Sequence, residues 1–435
     1  MQSKKIKVQD INVYTEKLQN GLEIYLVPMT DKKRYYITYA TKYGSLITDF
    51  TPYKEKKEVK VPNGVAHFLE HKMFEQESGE DPFEFFSKTG TYCNASTGFE
   101  STRYICSGTD NYEENLKYLL NFVNTPYFTD KNVEKEKGII IEELNMYKDD
   151  PGSAIDDTCR KAIFQKDHHL VDIGGEVEDV KAITKEDLYL CYNNFYEPKN
   201  MFVLIVGNID IEQTMNILKA ELDSRENKYE KMPTIKNIVE PYKVKKEKEV
   251  VRFNVEVPKV DYLLKLRRSD FGIKDKYTLD LYLNQILSSI FGTTSLFNEE
   301  GKKMDYFSYF FYEFDTTDEY IVINLGAETT KPNELFKYIE KTLQDRMNIL
   351  NREDFERSKK VNIANKIKNS CYIDSVVGMI YSDLINYNKI IYDKLDIIRN
   401  IDYNRMLEIA KKIDISNKSL VCYIPKNYPK FDINY

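Results

Sequence analysis

The 435-residue sequence lacks a long apolar run, and no apolar segment follows its basic N-terminus. Its richest apolar stretch, Met201–Val206, has the length of a β-strand, whereas a transmembrane helix needs roughly 18–20 apolar residues. The first ten residues, MQSKKIKVQD, have basic side chains without the apolar region that follows them in a signal peptide. We therefore expect a cytoplasmic protein that is not exported and has no membrane partner.

Excess positive charge is also lacking. The formal net charge is −7, and lysines and arginines are interspersed with acidic residues. Binding to nucleic-acid phosphates needs a basic surface, so the composition excludes a basic protein and we expect no nucleic-acid partner. The six cysteines include no CxxC pair. They are expected to be free, mostly buried thiols in a reducing compartment.

The order of predicted elements repeats within the chain. Strand, helix, paired strands and helix follow one another on both sides of residues 223–248, a segment that is dense in charge and contains two prolines. This pattern predicts an α+β protein with two homologous domains, residues 1–222 and 249–435, joined by a linker at 223–248. Each domain is expected to be a mostly antiparallel sheet covered by helices on one side.

Hydrophobic periodicity gives the individual elements. In the first half, it predicts a strand hairpin at 14–28, strands at 35–40 and 201–210, a pair of strands at 91–107, and helices at 64–75, 113–123, 130–147 and 184–195. In the second half, it predicts strands at 261–266, 306–314 and 319–325 and helices at 277–291 and 333–347.

Histidine is scarce, and two of the four histidines form a motif. His67 and His71 flank Glu70 in HFLEH, within a segment of helical periodicity. Positions i and i+4 share a helix face, so both imidazoles can bind one zinc ion with Glu70 beside it. This is the inverted zincin arrangement, in which zinc acidifies a water molecule and the glutamate accepts its proton during attack on a peptide carbonyl. The alternative is a helix with two surface histidines next to a glutamate.

A catalytic zinc site normally has three protein ligands and one open position, so a third ligand is expected. His168 and His169 are one option, but their surroundings are typical of a loop. Glu136 and Glu143 are better candidates, because they are two helical turns apart in the predicted helix at 130–147.

The phase of that helix supports the choice. The two glutamates are expected to share a face with Ile139 and Ile140 and so to point into the protein, where a metal would offset the cost of burying charge. The usual alternative is a solvated acidic face. It fits Glu134 and Glu142 better.

HFLEH followed by Glu-x6-Glu resembles the pitrilysin and insulinase metallopeptidases. The similarity extends over nearly the whole chain and is closest to their short two-domain branch, which includes mitochondrial processing peptidase and bacterial processing enzymes. It implies that His67, His71 and Glu143 bind one zinc ion per chain. It also implies that Glu70 is the general base and that Glu136 orients a ligand.

A further resemblance concerns Asn94-Ala95-Ser96-Thr97, which is similar to the NAxT strand of this family. In the family this is an edge strand that pairs with the substrate backbone, so the resemblance implies that Asn94 and Ala95 bind substrate. Considered without the family, Asn94 is more typical of a hairpin turn. The family often adds an arginine and a tyrosine that stabilise the oxyanion. The corresponding stretch here contains Tyr381 and Tyr387 but no arginine.

The resulting hypothesis is a zinc-dependent endopeptidase that cleaves peptides or unfolded segments in a closed chamber. A second subunit, either identical or a related chain without HxxEH, is expected to close the chamber. One alternative is a non-catalytic or weakly active peptide-binding subunit of a heterodimeric processing peptidase. Intact Glu70 and Glu143 disfavour it, and the missing arginine favours it more weakly. Another alternative is hydrolysis of a non-peptide substrate at the same zinc, against which only the Asn94 strand argues.

Overall fold

A computed structural model describes residues 1–6 and 11–434. Packing divides the chain into two compact units. The first unit consists of Met1–Met146, Val171–Asn237 and Lys366–Lys394, and the second consists of Tyr147–Leu170, Ile238–Asn365 and Leu395–Tyr435. The domain and linker boundaries expected at residues 222 and 248 stay a prediction.

The strands and helices are numbered in chain order. The strands are β1 (Gln2–Ile6), β2 (Ile11–Lys17), β3 (Glu23–Pro28), β4 (Tyr35–Thr41), β5 (Asp49–Thr51), β6 (Val59–Lys60), β7 (Tyr92–Thr97), β8 (Thr102–Gly108), β9 (Met201–Gly207), β10 (Thr234–Ile235), β11 (Lys248–Phe253), β12 (Lys259–Arg267), β13 (Tyr309–Thr316), β14 (Tyr320–Glu328) and β15 (Lys418–Pro425). The helices are α1 (Val65–Met73), α2 (Pro82–Lys88), α3 (Tyr112–Asn124), α4 (Asp130–Asp149), α5 (Pro151–Ile163), α6 (Val177–Ala182), α7 (Lys185–Phe195), α8 (Ile211–Leu222), α9 (Lys276–Phe291), α10 (Leu296–Lys303), α11 (Pro332–Gln344), α12 (Arg346–Ile349), α13 (Arg352–Asn369), α14 (Ile373–Asn386), α15 (Lys394–Asn400) and α16 (Tyr403–Lys411).

The first unit is organised around a seven-stranded sheet of order β1-β2-β3-β9-β4-β8-β7. Strands β3 and β9 are parallel, and the other neighbouring pairs are antiparallel. A small sheet of order β10-β5-β6 belongs to the same unit. Helices α1, α2 and α3 pack on the β7, β8 and β4 region of the large sheet. Strand β7 is therefore an edge strand that lies beside α1.

A further helix covers the opposite face of this sheet. Side chains alternate between the two faces of a strand. Met201, Val203 and Ile205 of β9 belong to the main core, and Phe202 points to the other side. On that side lies α14, whose Tyr381 ring centroid is 5.9 Å from that of Phe202. Helix α14 comes from the second half of the sequence, and no sequence pattern predicts that it packs here.

The second unit contains a five-stranded sheet of order β11-β15-β12-β14-β13, in which β11 and β15 are parallel. The part of the first sheet that runs β3-β9-β4-β8-β7 has the same order, with its parallel pair in the same place. This confirms the predicted class of two homologous α+β domains with mostly antiparallel sheets. Here α5 packs on the sheet, where Cys159 and Ile163 lie among Val421 and Tyr423.

The described residues include all six cysteines; none of these forms a disulfide, and four are buried. This is as expected from their spacing. Among the described residues, no helix is long and apolar enough to cross a membrane.

The start of α1 is fixed by a close backbone contact. Gly64 precedes the helix with a φ of +83°, and a Cβ atom on this residue would lie only 2.2 Å from the carbonyl oxygen of Gly174. Gly175 also has a positive φ, of +78°. Only glycine tolerates both the left-handed conformation and this approach. The two glycine positions therefore hold the first turn of α1 against the loop at 172–175.

Candidate metal centre

The two histidines of α1 and a glutamate of α4 converge within the first unit. The Nε2 atoms of His67 and His71 lie 3.9 Å and 3.4 Å from Oε2 of Glu143. One ligand atom from each residue can be chosen so that all three lie within 4.8 Å of one another. Ligand atoms of a tetrahedral zinc site, each about 2.1 Å from the metal, lie about 3.4 Å apart. Two imidazoles and a carboxylate at these distances fit a zinc ion.

The protonation of the two histidines follows from their surroundings. Burial, with the charge of His71, lowers the pKa of His67 to about 4, so His67 has the neutral form that binds metals. Burial also acts to lower the pKa of His71, but hydrogen bonds and charges from Glu136 and Glu143 raise it to about 9. A metal ion would therefore compete with a proton at His71. The carboxylates of Glu136 and Glu143 stabilise a positive charge at His71, whether it comes from a proton or from a metal ion.

Glu136 contacts the other side of the His71 ring. Its Oε1 atom lies 3.1 Å from Nδ1 of His71, which leaves Nε2 directed to Glu143. The second carboxylate oxygen of Glu136 lies 3.8 Å from the ammonium group of Lys72, whose side chain is fully buried. A carboxylate in this position fixes the tautomer and orientation of an imidazole ligand. Sequence analysis did not identify Lys72, because a lysine on a helix gives no signal that it is buried.

We expect Glu136→Gln to weaken zinc binding by about 10–100-fold while the fold is retained, since an amide orients and polarises the His71 ring less well than a carboxylate. Competition for zinc against a chromogenic chelator measures the affinity. Glu134→Gln is the matched control, because Glu134 is on the same helix but is 76% exposed and paired with Lys137. Equal affinities in the two variants would contradict the orienting role.

The observed phase of α4 corrects one expectation. Ile139 is 47% exposed and does not share the buried face with the two glutamates, whereas Ile140 is buried. Helical positions advance by about 100° per residue, so the buried stripe continues from Glu136 to Ile140, and Ile139 falls outside it. The exposed positions of Glu134 and Glu142 agree with the solvated face expected for them. The buried residues of α4 are Asn132, Val133, Glu136, Ile140 and Leu144.

Glu70 is a residue of α1 and lies beside the three candidate ligands. Its Oε2 atom accepts a hydrogen bond of 2.6 Å from the hydroxyl of Thr97 on β7. Burial raises the pKa of the Glu70 carboxyl, and Thr97 and His71 partly offset this effect. A carboxylate with a raised pKa, held next to a metal site, is suited to accept and return a proton.

Asn94 and Ala95 lie within β7 and not in a turn. Asn94 is paired with Ile105 of β8, and the turn of this hairpin lies at residues 98–101, where the Gly98 N–H donates to the Ser101 carbonyl. The interpretation of Asn94 as a hairpin turn residue is therefore wrong. Its side-chain oxygen accepts a hydrogen bond of 2.9 Å from the N–H of Ala95.

The hairpin geometry indicates which backbone groups of β7 face the open edge. Bonded and non-bonded pairs alternate along an antiparallel ladder. Because Gly98 and Ser101 form a bonded pair, the N–H and C=O groups of Cys93, Ala95 and Thr97 point away from β8. The bond from the Ala95 N–H to its neighbouring side chain agrees with this direction. An open edge of this kind can accept an extended peptide as an additional strand.

Other residues considered as site candidates lie elsewhere. Tyr381 donates to or accepts from the Ser101 hydroxyl at 2.8 Å, and its ring packs under the Arg103 guanidinium on the sheet face opposite α1. His168 and His169 belong to the second unit. The Nδ1 atom of the His169 ring is hydrogen-bonded to the carboxylate of Asp167.

Two family models match most of the chain. The model described as Insulinase (Peptidase family M16) matches residues 56–173, which include all of α1, β7, α4 and α5. The model described as Peptidase M16 inactive domain matches residues 182–362. The chain belongs to the pitrilysin/insulinase family of peptidases, peptidase family M16.

Individual relatives agree with this membership. The chain is 36% identical over 360 residues to "Uncharacterized zinc protease YmfH" from Bacillus subtilis, which covers 82% of this chain and 83% of that protein. It is 28% identical over 236 residues to "Probable zinc protease PqqL" from Haemophilus influenzae, but this covers only 50% of the chain and 24% of that protein. The solved structure described as "Crystal structure of putative M16-like peptidase from Alicyclobacillus acidocaldarius" matches with a TM-score of 0.87 and 26% identity, over 95% of this chain and 98% of that one.

Proposed function

We propose that the chain is a zinc endopeptidase that hydrolyses peptides or unfolded segments. His67, His71 and Glu143 would hold the zinc ion and Glu70 would be the general base. The observation that supports this most directly is the convergence of the three ligand atoms beside Glu70. The names of the relatives support the metal and the type of reaction.

The chain supplies a proton acceptor and a means of positioning the substrate. A zinc ion in this site supplies the Lewis acidity that allows water to ionise near neutral pH. Glu70 accepts the proton of the attacking water and returns it to the leaving amine. Thr97 holds one oxygen of Glu70 and leaves the other for this transfer. Glu136 keeps the His71 ring in the orientation that ligation needs.

The open edge of β7 would align the substrate. The N–H and C=O groups of Ala95 can pair with an extended peptide, and the Asn94 amide can move from the Ala95 N–H to the peptide backbone. Recognition through the backbone depends little on side chains. We therefore propose unfolded or flexible peptides as the substrate class.

The test combines metal analysis with peptide cleavage. We expect about one zinc per chain, cleavage of an unstructured peptide library, loss of cleavage with a chelator, and recovery when zinc is returned. The wild-type protein is compared before and after chelation in a single preparation. A protein that purifies without metal under zinc-replete conditions, or cleavage that persists in the chelator, would contradict the proposal.

A non-catalytic peptide-binding subunit is the alternative. Glu70, His67, His71 and Glu143 are all present, and this favours the enzyme. We further propose that the chain works in the cytoplasm with a second subunit, identical or related and without HxxEH, that closes the chamber. Turnover that appears only after a related subunit is added would support a heterodimer. Turnover by the chain alone would support the identical pair or a monomer.

A further inference from the structure

A groove of about 430 Å³ lies along β7 and β8 on the sheet face away from α1. Cys93 and Ala95 of β7 pack toward the core that contains α1. The alternate side chains of β7 therefore point to the opposite face. The polar residues that line this groove include Tyr36, Tyr92, Asn94, Ser96, Arg103 and the ion pair of Arg34 and Asp374.

Arg103 is the notable charge in the groove. Its Nε atom donates to the Ser96 hydroxyl at 2.8 Å, and its guanidinium lies over the Tyr381 ring at 4.6 Å from the centroid. These two contacts hold the side chain in place. Among the residues that the structure describes, Arg103 forms no ion pair with a carboxylate.

The other charges in the groove are balanced. Arg34 forms an ion pair with Asp374 at the start of α14. The charge that is not neutralised within the groove is therefore the positive charge of Arg103. Tyr36, Tyr92 and Ser96 add hydroxyl groups that can donate to an anion.

The groove lies where a peptide added to β7 would direct half of its side chains. Successive side chains of a strand point to opposite faces of the sheet. In a strand paired with β7, the side chain opposite Ala95 would point to the α1 side, where Glu70 lies. The side chains on either side of it would point into the groove, next to Asn94 and Ser96.

We propose that this groove is a specificity subsite for an acidic side chain of the substrate, with Arg103 as the residue that binds its carboxylate. The proposal rests on the proposed function, since it assumes that a peptide pairs with β7. A guanidinium presents two parallel N–H groups to a carboxylate. Because Nε is already bonded to Ser96, the two terminal nitrogens are the ones directed to the ligand. A lysine side chain in the same position would be repelled.

The experiment compares matched peptides that differ at one position. Each peptide is unstructured, acetylated and amidated, so that terminal charges do not contribute, and has Glu, Gln or Lys next to the residue at the scissile bond. For the wild-type protein we expect kcat/KM to be about five- to ten-fold higher for Glu than for Gln, and lowest for Lys. In Arg103→Gln, the ratio of Glu to Gln should fall to about one, and in Arg103→Glu the order should reverse in favour of Lys.

A control and a binding measurement keep the outcome clear. Arg267→Gln is the matched control, because Arg267 also lies over a tyrosine ring, 4.4 Å from that of Tyr242, but belongs to the second unit. It should keep the wild-type ratio. Fluorescence anisotropy with the Glu70→Gln variant, alone and combined with Arg103→Gln, reports the same preference as affinity without turnover.

The outcomes separate the two proposals. If no peptide is cleaved but the acidic peptide binds more tightly and depends on Arg103, the subsite stands and the proposed activity fails. If peptides are cleaved with the same kcat/KM for Glu and Gln, or if Arg103→Gln keeps the wild-type ratio, the subsite is wrong and the activity stands. Arg103→Lys keeps the positive charge. If this variant retains a reduced preference for Glu, the protein tolerates substitution at position 103 without unfolding.

Discussion

Glu70→Gln is expected to lose nearly all peptide hydrolysis while it retains zinc and the fold. General acid–base catalysis typically contributes about 10²–10⁴-fold to the rate, and the amide of glutamine cannot accept a proton from water. The side chain is nearly isosteric, so its carbonyl oxygen can still accept the hydrogen bond from Thr97. Zinc content by elemental analysis, peptide affinity and turnover are measured on one preparation.

Glu77→Gln is the control for this change, because Glu77 follows α1 in the sequence but is exposed. Its turnover should equal that of the wild-type protein. Peptide binding to β7 should survive in Glu70→Gln, which makes this variant suitable for trapping natural substrates. Retained turnover in Glu70→Gln would contradict the assignment of Glu70 as the general base. Loss of zinc would instead identify Glu70 as a ligand or a structural residue.

Removal of any one of the three candidate ligands is expected to abolish stable zinc binding. His67→Ala and His71→Ala each leave only two protein ligands for the metal. A catalytic zinc site normally has three, and with three we expect about one zinc per chain. Glu143→Gln should also lose zinc, because the neutral amide is a much weaker donor than the carboxylate whose oxygen lies 3.4 Å from His71. Elemental analysis measures the zinc content.

Thermal unfolding gives an independent measure of the same loss. A ligand that binds only the folded state raises the unfolding temperature, so added zinc should stabilise the metal-depleted wild-type protein and fail to stabilise Glu143→Gln. Glu142→Gln is the matched control, since Glu142 is the neighbouring residue of α4 but is exposed. It should respond to zinc as the wild-type protein does. If Glu142 proved to be the sensitive position, the assignment of Glu143 would be wrong.

The local elements that build this centre could be predicted from the sequence. Helical spacing identified α1 and α4, and the alternation at 91–107 identified the hairpin of β7 and β8. Each of these patterns is formed by residues that are close in the sequence and lie on one face of a single element. The repeated order of elements also predicted two homologous domains, and the structure adds that their sheets share a strand order.

Distinguishing the roles of the two glutamates required more than periodicity. Glu136 and Glu143 are two turns apart, and both were suitable by spacing alone. The structure places Glu143 at the Nε2 atoms of both histidines and Glu136 at Nδ1 of His71. The family resemblance implied this division, and the ligand assignment itself stays a prediction until metal is measured.

Long-range packing could not be predicted in the same way. The amphipathic sequence of α14 specifies a helix with an apolar face, but it does not specify the sheet on which that face packs. The same is true of Tyr381, which the family resemblance suggested for the oxyanion and the structure places under Arg103. Partner choice depends on surfaces that are formed by residues far apart in the chain.

The assignment of α14 to the first unit has a consequence for synthesis of the chain. The outward side chains of β9, Phe202, Leu204 and Val206, are fully buried, and α14 packs on this strand. A ribosome that has completed β9 has still to make more than a third of the chain before α14 follows it. During that time, the nascent first unit would expose an apolar sheet face, which is the kind of surface that chaperones bind. The unit that contains the candidate metal centre can therefore reach its final packing only near the end of translation, after most of the second unit has been made.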